Sequence, residues 1–384
     1  TYKNLIYMNR KTLIYIIGIA TLLLSCSEDF LNKKPIAMDT EETFYTTPTS
    51  IDQTLTAAYS VLVAREIFDI RYIVALSSAE DDIETGGENV LDWPEFQRID
   101  RYINTPEDPQ PYTDLWGYMY KGIRFCNAVF YYYDKLVKED PSINTPDMQH
   151  KLAEAKFLRA LYHFYLVKIF GGVPIVDHVL YPLEAKNIKR NKLSEVYHFI
   201  EKDLLEAVPV LKERDNLPNG EIGRASKGAA RALLAKVYLF ESSYWKNYSG
   251  DSRFEGCENH YSDALKYAED VINSGKYELV GINGERWNSW WNSLQNGGIG
   301  GFRYIFTVDG DNSKESVFEC QNVQDGKGWS LTRGSYLTIY TTIRYAIDKN
   351  GAEQQLGWSF LLPTSYLVSS FGNKDNREIL IWNF

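Results

Sequence analysis

The sequence predicts a mainly α-helical protein, in which degenerate tetratricopeptide-like helical repeats are joined to an irregular, loop-rich region carrying small β elements. Three observations predict it. Five segments with apolar residues at helical spacing follow one another between residues 112 and 275. Their starts, near 113, 147, 193, 226 and 260, are separated by roughly 34, 46, 33 and 34 residues, the period of helix–turn–helix repeats with one insert after the second helix. From residue 276 the periodicity gives way to clustered aromatics, glycines and short β-prone runs.

The elements can be justified in order from the N-terminus. Met8-Asn9-Arg10-Lys11 places two positive charges ahead of an apolar run, Leu13 to Leu24. A membrane-spanning helix needs about twenty apolar residues, so this run has the size of a secretory leader. Leu23-Leu24-Ser25-Cys26 follows, the pattern cut ahead of a cysteine that then carries lipid. Residues 1–25 are therefore expected to be a lipoprotein signal peptide, Cys26 the lipidation site and 26–43 a polar tether. The alternative is a plain signal peptide with an incidental cysteine. Thr1 to Tyr7 precede the first Met and are expected to lie outside the translated protein.

Residues 50–65 carry Ile51, Leu55, Ala58 and Leu62 at helical spacing. Residues 80–111 are acidic, contain Gly and Pro, and lack a period; they read as a long loop, a class of segment that is often functional. The first repeat helix runs from about Tyr112 to Lys138, with Trp116, Tyr120, Ile123 and Asn127 on one face. The second starts at Thr145-Pro146, a capping residue followed by proline at the first helical position, and is stopped by Gly171-Gly172 and Pro174. The third holds Val196, Ile200, Leu204, Ala207 and Leu211. The fourth follows Ser226 as N-cap through Ala229, Leu233, Val237 and Phe240. The fifth holds Ala264, Ala268, Val271 and Ile272 and ends at Gly275. Beyond it, Tyr304–Val308 and Ser316–Glu319 read as short strands.

Charge and cysteine usage exclude several classes. The formal net charge is −10, and it becomes more negative once the leader, which holds Lys3, Arg10 and Lys11 but no acid, is removed. Phosphate neutralisation drives nucleic-acid binding, so such a chain is a poor nucleic-acid ligand. Anionic lipid would repel it too, which leaves the lipid anchor as its means of membrane attachment. Cys126, Cys257 and Cys320 show no C-x-x-C spacing and read as buried free thiols rather than a zinc site.

The second helix carries the most specific signal. Glu154-Ala155-Lys156-Phe157-Leu158-Arg159-Ala160-Leu161-Tyr162, continuing to Phe170-Gly171-Gly172-Val173-Pro174, resembles the signature helix of SusD/RagB outer-membrane nutrient-binding proteins. Further landmarks stand in the family's order. They are Asp29-Phe30-Leu31 with Pro35, the W-x3-Y-x2-I-x3-N helix from Trp116 to Asn127, and Gly223-Arg224-Ala225-Ser226 leading into Leu233–Leu239. Ala268–Ile272 before Ser274–Tyr277, the stretch Glu315–Glu319 with Gln321, Pro363-Thr364, Phe371 and Asp375-Asn376-Arg377 follow. The resemblance implies a SusD-like α-α superhelix. Residues 44–275 would be its N-terminal helical repeat region, and 276–384 the start of an incomplete C-terminal region, since family members continue for a hundred residues or more. It also implies a lipid-anchored protein on the extracellular face of the outer membrane. Such a protein would pass oligosaccharides or peptides to a SusC-like TonB-dependent transporter, with Ser27-Glu28-Asp29 as the surface-export signal.

No catalytic constellation emerges. The histidines at 150, 163, 178, 198 and 260 are scattered, and His163 reads as packing. Glu80, Asp81 and Asp82 are adjacent acids in a loop; a solvated face is the plain reading and a structural calcium the lesser one. A glycosidase needs carboxylates roughly 5–10 Å apart across a bond, which sequence neighbours do not supply. No resident cofactor is expected, and an enzyme is the weakest of the readings. A repeat scaffold binding only protein partners stands between. Sugar recognition needs flat aromatic faces beside hydroxyl-binding polar groups. The family builds its ligand surface from the loop before the W-x3-Y helix and from the region after the fifth helix. In those segments the candidates are Trp93, Asp81, Asp82, Trp287, Trp290, Trp291, Tyr304 and Trp329. The spacing of Trp287, Trp290 and Trp291 equally suits the buried face of a helix. Trp116 and Trp358 read as structural.

Overall fold

The computed structural model describes residues 41–64, 66–105, 107, 111–218, 220–280, 305–306, 308–323, 334–348 and 350–371. The leader, Cys26 and the tether up to residue 40 lie outside the described residues, as do Trp287, Trp290, Trp291, Tyr304, Trp329 and Asp375–Arg377. The chain divides into two compact units, residues 1–50 and 51–384. In the first, the short helix Glu41–Phe44 precedes the start of α1, Pro48–Ser60. The rest of the description concerns the second unit.

The repeat helices form where their local signals place them. They are α3 (Tyr112–Glu139), α4 (Pro146–Phe170), α5 (Leu193–Ala207), α6 (Lys227–Asn247) and α7 (Tyr261–Ile272). The Thr145 hydroxyl accepts from the Met148 N–H at 3.1 Å to cap α4, and the Ser226 hydroxyl accepts from Ala229 at 3.2 Å to cap α6. The Glu195 carboxylate accepts the Lys192 N–H at the start of α5. Each helix packs chiefly on the next in the series, α3 on α4, α4 on α5, α5 on α6 and α6 on α7, with a smaller contact of α4 on α6 where Phe164 meets Phe240, the stacking of a helical repeat array. Tyr162, Tyr197, Phe157, Phe164, Leu115 and Met119 are buried between them. No helix of the described residues is long and apolar enough to cross a membrane.

The signature residues explain why the stack is so regular. Arg159 of α4 clamps Asp203 of α5 through two bonds of 2.7 Å, and donates to Asn127 of α3 at 2.8 Å. Its guanidinium lies over the Phe130 and Phe199 rings. Asn127 in turn donates to the Val176 and His178 carbonyls, 2.9 Å each. Tyr120 donates to the Pro174 carbonyl at 2.7 Å, and Trp116 packs on Phe170, so the W-x3-Y face pins the Gly-Gly-Val-Pro exit. Gly172 is needed there because a Cβ would stand 2.2 Å from the Asn191 carbonyl. His163 is wholly buried, with Nδ1 bonded to the Arg159 carbonyl.

Elsewhere the structure departs from the sequence reading. The stretch read as a single loop, 80–111, contains a strand, β1 (Ile83–Thr85), and a helix, α2 (Pro94–Asp100). Seven residues are too few to display a helical period, although Phe96 and Ile99 are buried and Pro94 marks the start. Ahead of it, Glu66–Val74 forms a π-helix in which Ile70 and Val74 are buried. Ser316–Glu319 bends instead of forming a strand, because its backbone is held by side chains: Arg214 donates to the Ser316 carbonyl at 2.8 Å. Cys126 and Cys257 are buried, but Cys320 is exposed as a residue, its thiol set against the Leu62 carbonyl at 3.7 Å. Toward the C-terminus come α8 (Leu337–Thr341), β2 (Tyr345–Ile347), β3 (Glu353–Gln355), β4 (Leu361–Pro363) and α9 (Ser365–Ser370). β2 and β3 form an antiparallel hairpin.

Candidate functional site

A second hydrophobic core, against which Tyr112 at the start of α3 packs, unites the two stretches that the sequence nominated. β1 pairs antiparallel with β4, Ile83 opposite Pro363 and Thr85 opposite Leu361, so residues before α3 join residues near 360. The pairing extends into the loops. Gly87 donates to Ser359, and Thr364 donates to the Asp82 carbonyl from both its N–H and its hydroxyl. A Cβ at Gly86 would meet the Ser359 carbonyl at 1.9 Å, which explains a glycine at this close approach. Ile70, Val74, Phe96, Ile99, Tyr340 and Phe360 are buried beneath, with Trp93, Tyr336 and Trp358 partly buried against them.

Trp93 is the hub of this lobe. Its ring lies 5.0 Å from Phe96 and 5.9 Å from Phe360, and Arg71 of the π-helix sits 4.6 Å over it. Arg71 is itself held by Asp114 at 3.1 Å and Glu95 at 3.7 Å. The backbone at Trp93 is left-handed (φ 54°, ψ 59°), as are Tyr102 and Ser359 in the same lobe. A left-handed bend at a bulky residue costs roughly 1–3 kcal/mol, and such strain concentrates at binding and switch sites. Arg344 ties the second stretch to the first, donating to Asp92 at 2.7 Å and to the Trp358 carbonyl at 3.1 Å, with Glu88 at 3.8 Å. Asp69, also on the π-helix, accepts from Ser335 and from the Tyr336 N–H.

Of the candidates, Trp93, Asp81 and Asp82 are therefore brought together in one lobe. Asp81 is exposed, Asp82 is fixed through its carbonyl, and neighbouring Glu80 has its carboxyl pKa pushed up by partial burial and by the Asp82 charge. Trp116 and Trp358 are packed, the first against Tyr120, Phe170 and Arg190, the second against Tyr340 and Phe360. Sequence reasoning missed Arg71, Arg344, Tyr102, Tyr345 and Tyr366. Tyr102 is 73% exposed and Tyr366 70%, and Tyr345, Val90, Leu91 and Ile103 are exposed as well. The available signal for Tyr102 was its place in a Pro-flanked polar loop; the two arginines gave none.

The repeat region has clefts of its own. One of about 280 Å³ is lined by Tyr59, Leu62, Gly223, Arg224, Phe318 and Cys320, and one of about 580 Å³ by Lys168, Phe170, Arg190, Asn191, Tyr244 and Phe254. Behind the first, Tyr59 donates to buried Glu154 at 2.6 Å and accepts from the Ala225 N–H at 2.9 Å. Burial pushes Glu154 up to about 7, with Arg224 partly opposing the rise. In the second, burial pushes Lys168 down to about 8.

Residues 29–239, more than half of the chain, match the model of the SusD-like family described as starch-binding and associating with the outer membrane. A SusD-like protein from Bacteroides ovatus is 30% identical over 279 residues, covering 72% of this chain and 46% of that protein. The starch-binding protein SusD of Bacteroides thetaiotaomicron is 26% identical over 281 residues, 73% of this chain and 43% of its own length. The chain thus spans less than half the length of these relatives. Among solved structures, surface glycan-binding protein A from Bacteroides fluxus superposes with a TM-score of 0.66 at 22% identity, over 87% of this chain and 63% of that one. The Bacteroides thetaiotaomicron protein of the same name, in complex with laminarihexaose, gives 0.63 at 22% identity, over 87% and 62%. These structural likenesses establish the helical fold.

Proposed function

The chain belongs to the SusD-like family, and on that premise we propose that it is a cell-surface lipoprotein that binds oligosaccharide nutrients through the lobe around Trp93. The observation that carries this reading is the construction of the lobe: exposed aromatics on a strained, ion-pair-braced backbone that the chain assembles from distant segments. Aromatic faces supply stacking for the apolar side of a sugar ring, and Asp81, Asn89 and Glu88 supply acceptors for hydroxyls. The names of relatives support the ligand class, since one is called starch-binding and another laminarin-binding. Anchoring through Cys26 after removal of residues 1–25, an outward face, and delivery to a SusC-like TonB-dependent transporter complete the proposal. So do Trp287, Trp290, Trp291, Tyr304 and Trp329 as further contacts, and the division at residue 275.

Isothermal titration of the chain with starch- and laminarin-derived oligosaccharides, alongside a peptide pool, tests it. Saturable glycan binding that falls roughly tenfold or more on Tyr102→Ala or Tyr366→Ala supports the proposal. Binding to peptides alone, or glycan binding indifferent to both changes, sinks it. Co-purification with a TonB-dependent barrel tests the delivery step separately.

A further inference from the structure

Between the third and fourth repeat helices lies a buried carboxylate pair with histidines, and no Lys or Arg among the described residues, beside it. Glu241 of α6 is 0% exposed, and Glu201 of α5 is buried beside it. Neither oxygen of Glu241 is reached by an N–H or hydroxyl donor; a proton shared with the facing Glu201 carboxyl is the one exception its surroundings allow. Among the described residues no Lys or Arg pairs with either acid. Leaving such charges buried and unpaired costs several kcal/mol per ion, so the pair must be neutralised by a proton or a cation.

The third member of this cluster is His260, in the turn before α7. Its Nδ1 is 3.3 Å from the Asp263 carboxylate, which orients the ring and leaves Nε2 facing inward. Nε2 makes no hydrogen bond and lies 3.8 Å from Glu241 Oε2 and 3.8 Å from Glu258 Oε2. A carboxylate behind a histidine whose other nitrogen points at a cavity is the arrangement that fixes metal-ligating imidazoles. One ligand atom each from Glu201, Glu241 and His260 lies within 4.8 Å of the others. Ligands on a tetrahedral zinc sit about 3.5 Å apart, so small side-chain rotations close the set. His198, three residues before Glu201 and so on the same side of α5, brings Nε2 to 3.9 Å from Glu241 Oε1.

We propose that Glu201, Glu241 and His260 form a structural site for a divalent transition-metal ion of the zinc class, stapling α5 and α6 to the turn that starts α7. Glu258 and His198 stand at the rim to complete the coordination. An imidazole among few oxygens disfavours calcium, which takes six to eight oxygen ligands. The site differs from the lobe around Trp93 in place and in purpose: it braces the repeats and leaves ligand capture to the aromatics.

Titration of the tag-free, chelator-treated chain with zinc chloride against a chromophoric competitor tests this, with thermal unfolding as the second readout. One zinc bound per chain with a rise in Tm is the expected result. Glu241→Gln, which keeps the volume and can hydrogen-bond to Glu201, should abolish both. Asp263→Asn, which touches only the far side of His260, should weaken zinc affinity roughly 10- to 100-fold and keeps the question answerable if Glu241→Gln does not fold. Zinc uptake and Tm shift unchanged in both variants would place the metal elsewhere and overturn the assignment. No saturable uptake by the parent chain would overturn it as well, leaving the carboxyls to share a proton.

Discussion

The repeat helices hold their geometry with buried side-chain clamps, whereas the lobe around Trp93 holds its own with backbone bends and surface ion pairs. Arg159 is locked to Asp203 and Asn127 in the dry interior, where each partner is indispensable to the other. Arg344 and Arg71 meet their carboxylates nearer the surface, around a tryptophan that is itself only partly buried. One region is built to keep a shape, and the other to present one. The landmarks Asn127, Arg159, Gly172 and Arg224 lie in the first region and report fold, whereas Pro363-Thr364 holds the backbone of the second at Ile83 and Asp82; none of them touches the exposed aromatics.

The sharpest way to break this contrast is to remove one half of the central clamp. Asp203→Ala strands a buried guanidinium and should cost about 3–5 kcal/mol in urea unfolding; a loss below about 1 kcal/mol would show that the clamp is not what holds α4 against α5. Next comes overpacking. At Gly122 a new Cβ would stand 2.4 Å from the Tyr162 ring, so Gly122→Ala should cost about 1–3 kcal/mol.

Protonation should separate the regions again, because the strongly shifted buried groups named here belong to the repeats. Burial pushes His150 and His163 down to about 4, so both are neutral when folded and the stability they allow is lost as pH falls from about 6.5 towards 4. His150 is therefore uncharged at neutral pH, and its 3.6 Å contact with Glu154 is no ion pair there. Glu154 is raised to about 7, so its contribution is full below the unfolded value near 4.5 and is lost as pH rises through 7, on the order of 3 kcal/mol. Glu154→Gln should flatten the alkaline limb of a Tm–pH profile and leave the acid limb in place. Equal flattening of both limbs would contradict this assignment.

The smallest effects belong to the lobe. Ser359→Gly relieves a left-handed bend (φ 55°) at the cost of one long hydroxyl contact, and should leave stability unchanged or raise it by up to about 1 kcal/mol. Tyr102→Ala, at an exposed ring, should leave thermal unfolding in place while altering glycan titration. If either change unfolds the chain as severely as Asp203→Ala, the lobe is part of the scaffold and the distinction fails.

By itself the sequence determined the series of repeat helices, their caps at Thr145 and Ser226, their glycine exits and the family to which the chain belongs. Those features rest on contacts within a few residues along the chain, where propensity, capping and 3.6-residue periodicity act directly. Only the tertiary structure decided that Asp203 answers Arg159, that residues 83–85 pair with 361–363, and that Arg71 lies on Trp93. It alone brought Glu201 and Glu241 together with His260, one of the histidines whose scattered positions had suggested no constellation. Each of these depends on how helices of given length and crossing present side chains to one another. That is a property of packing in three dimensions, and no local pattern of residues encodes it.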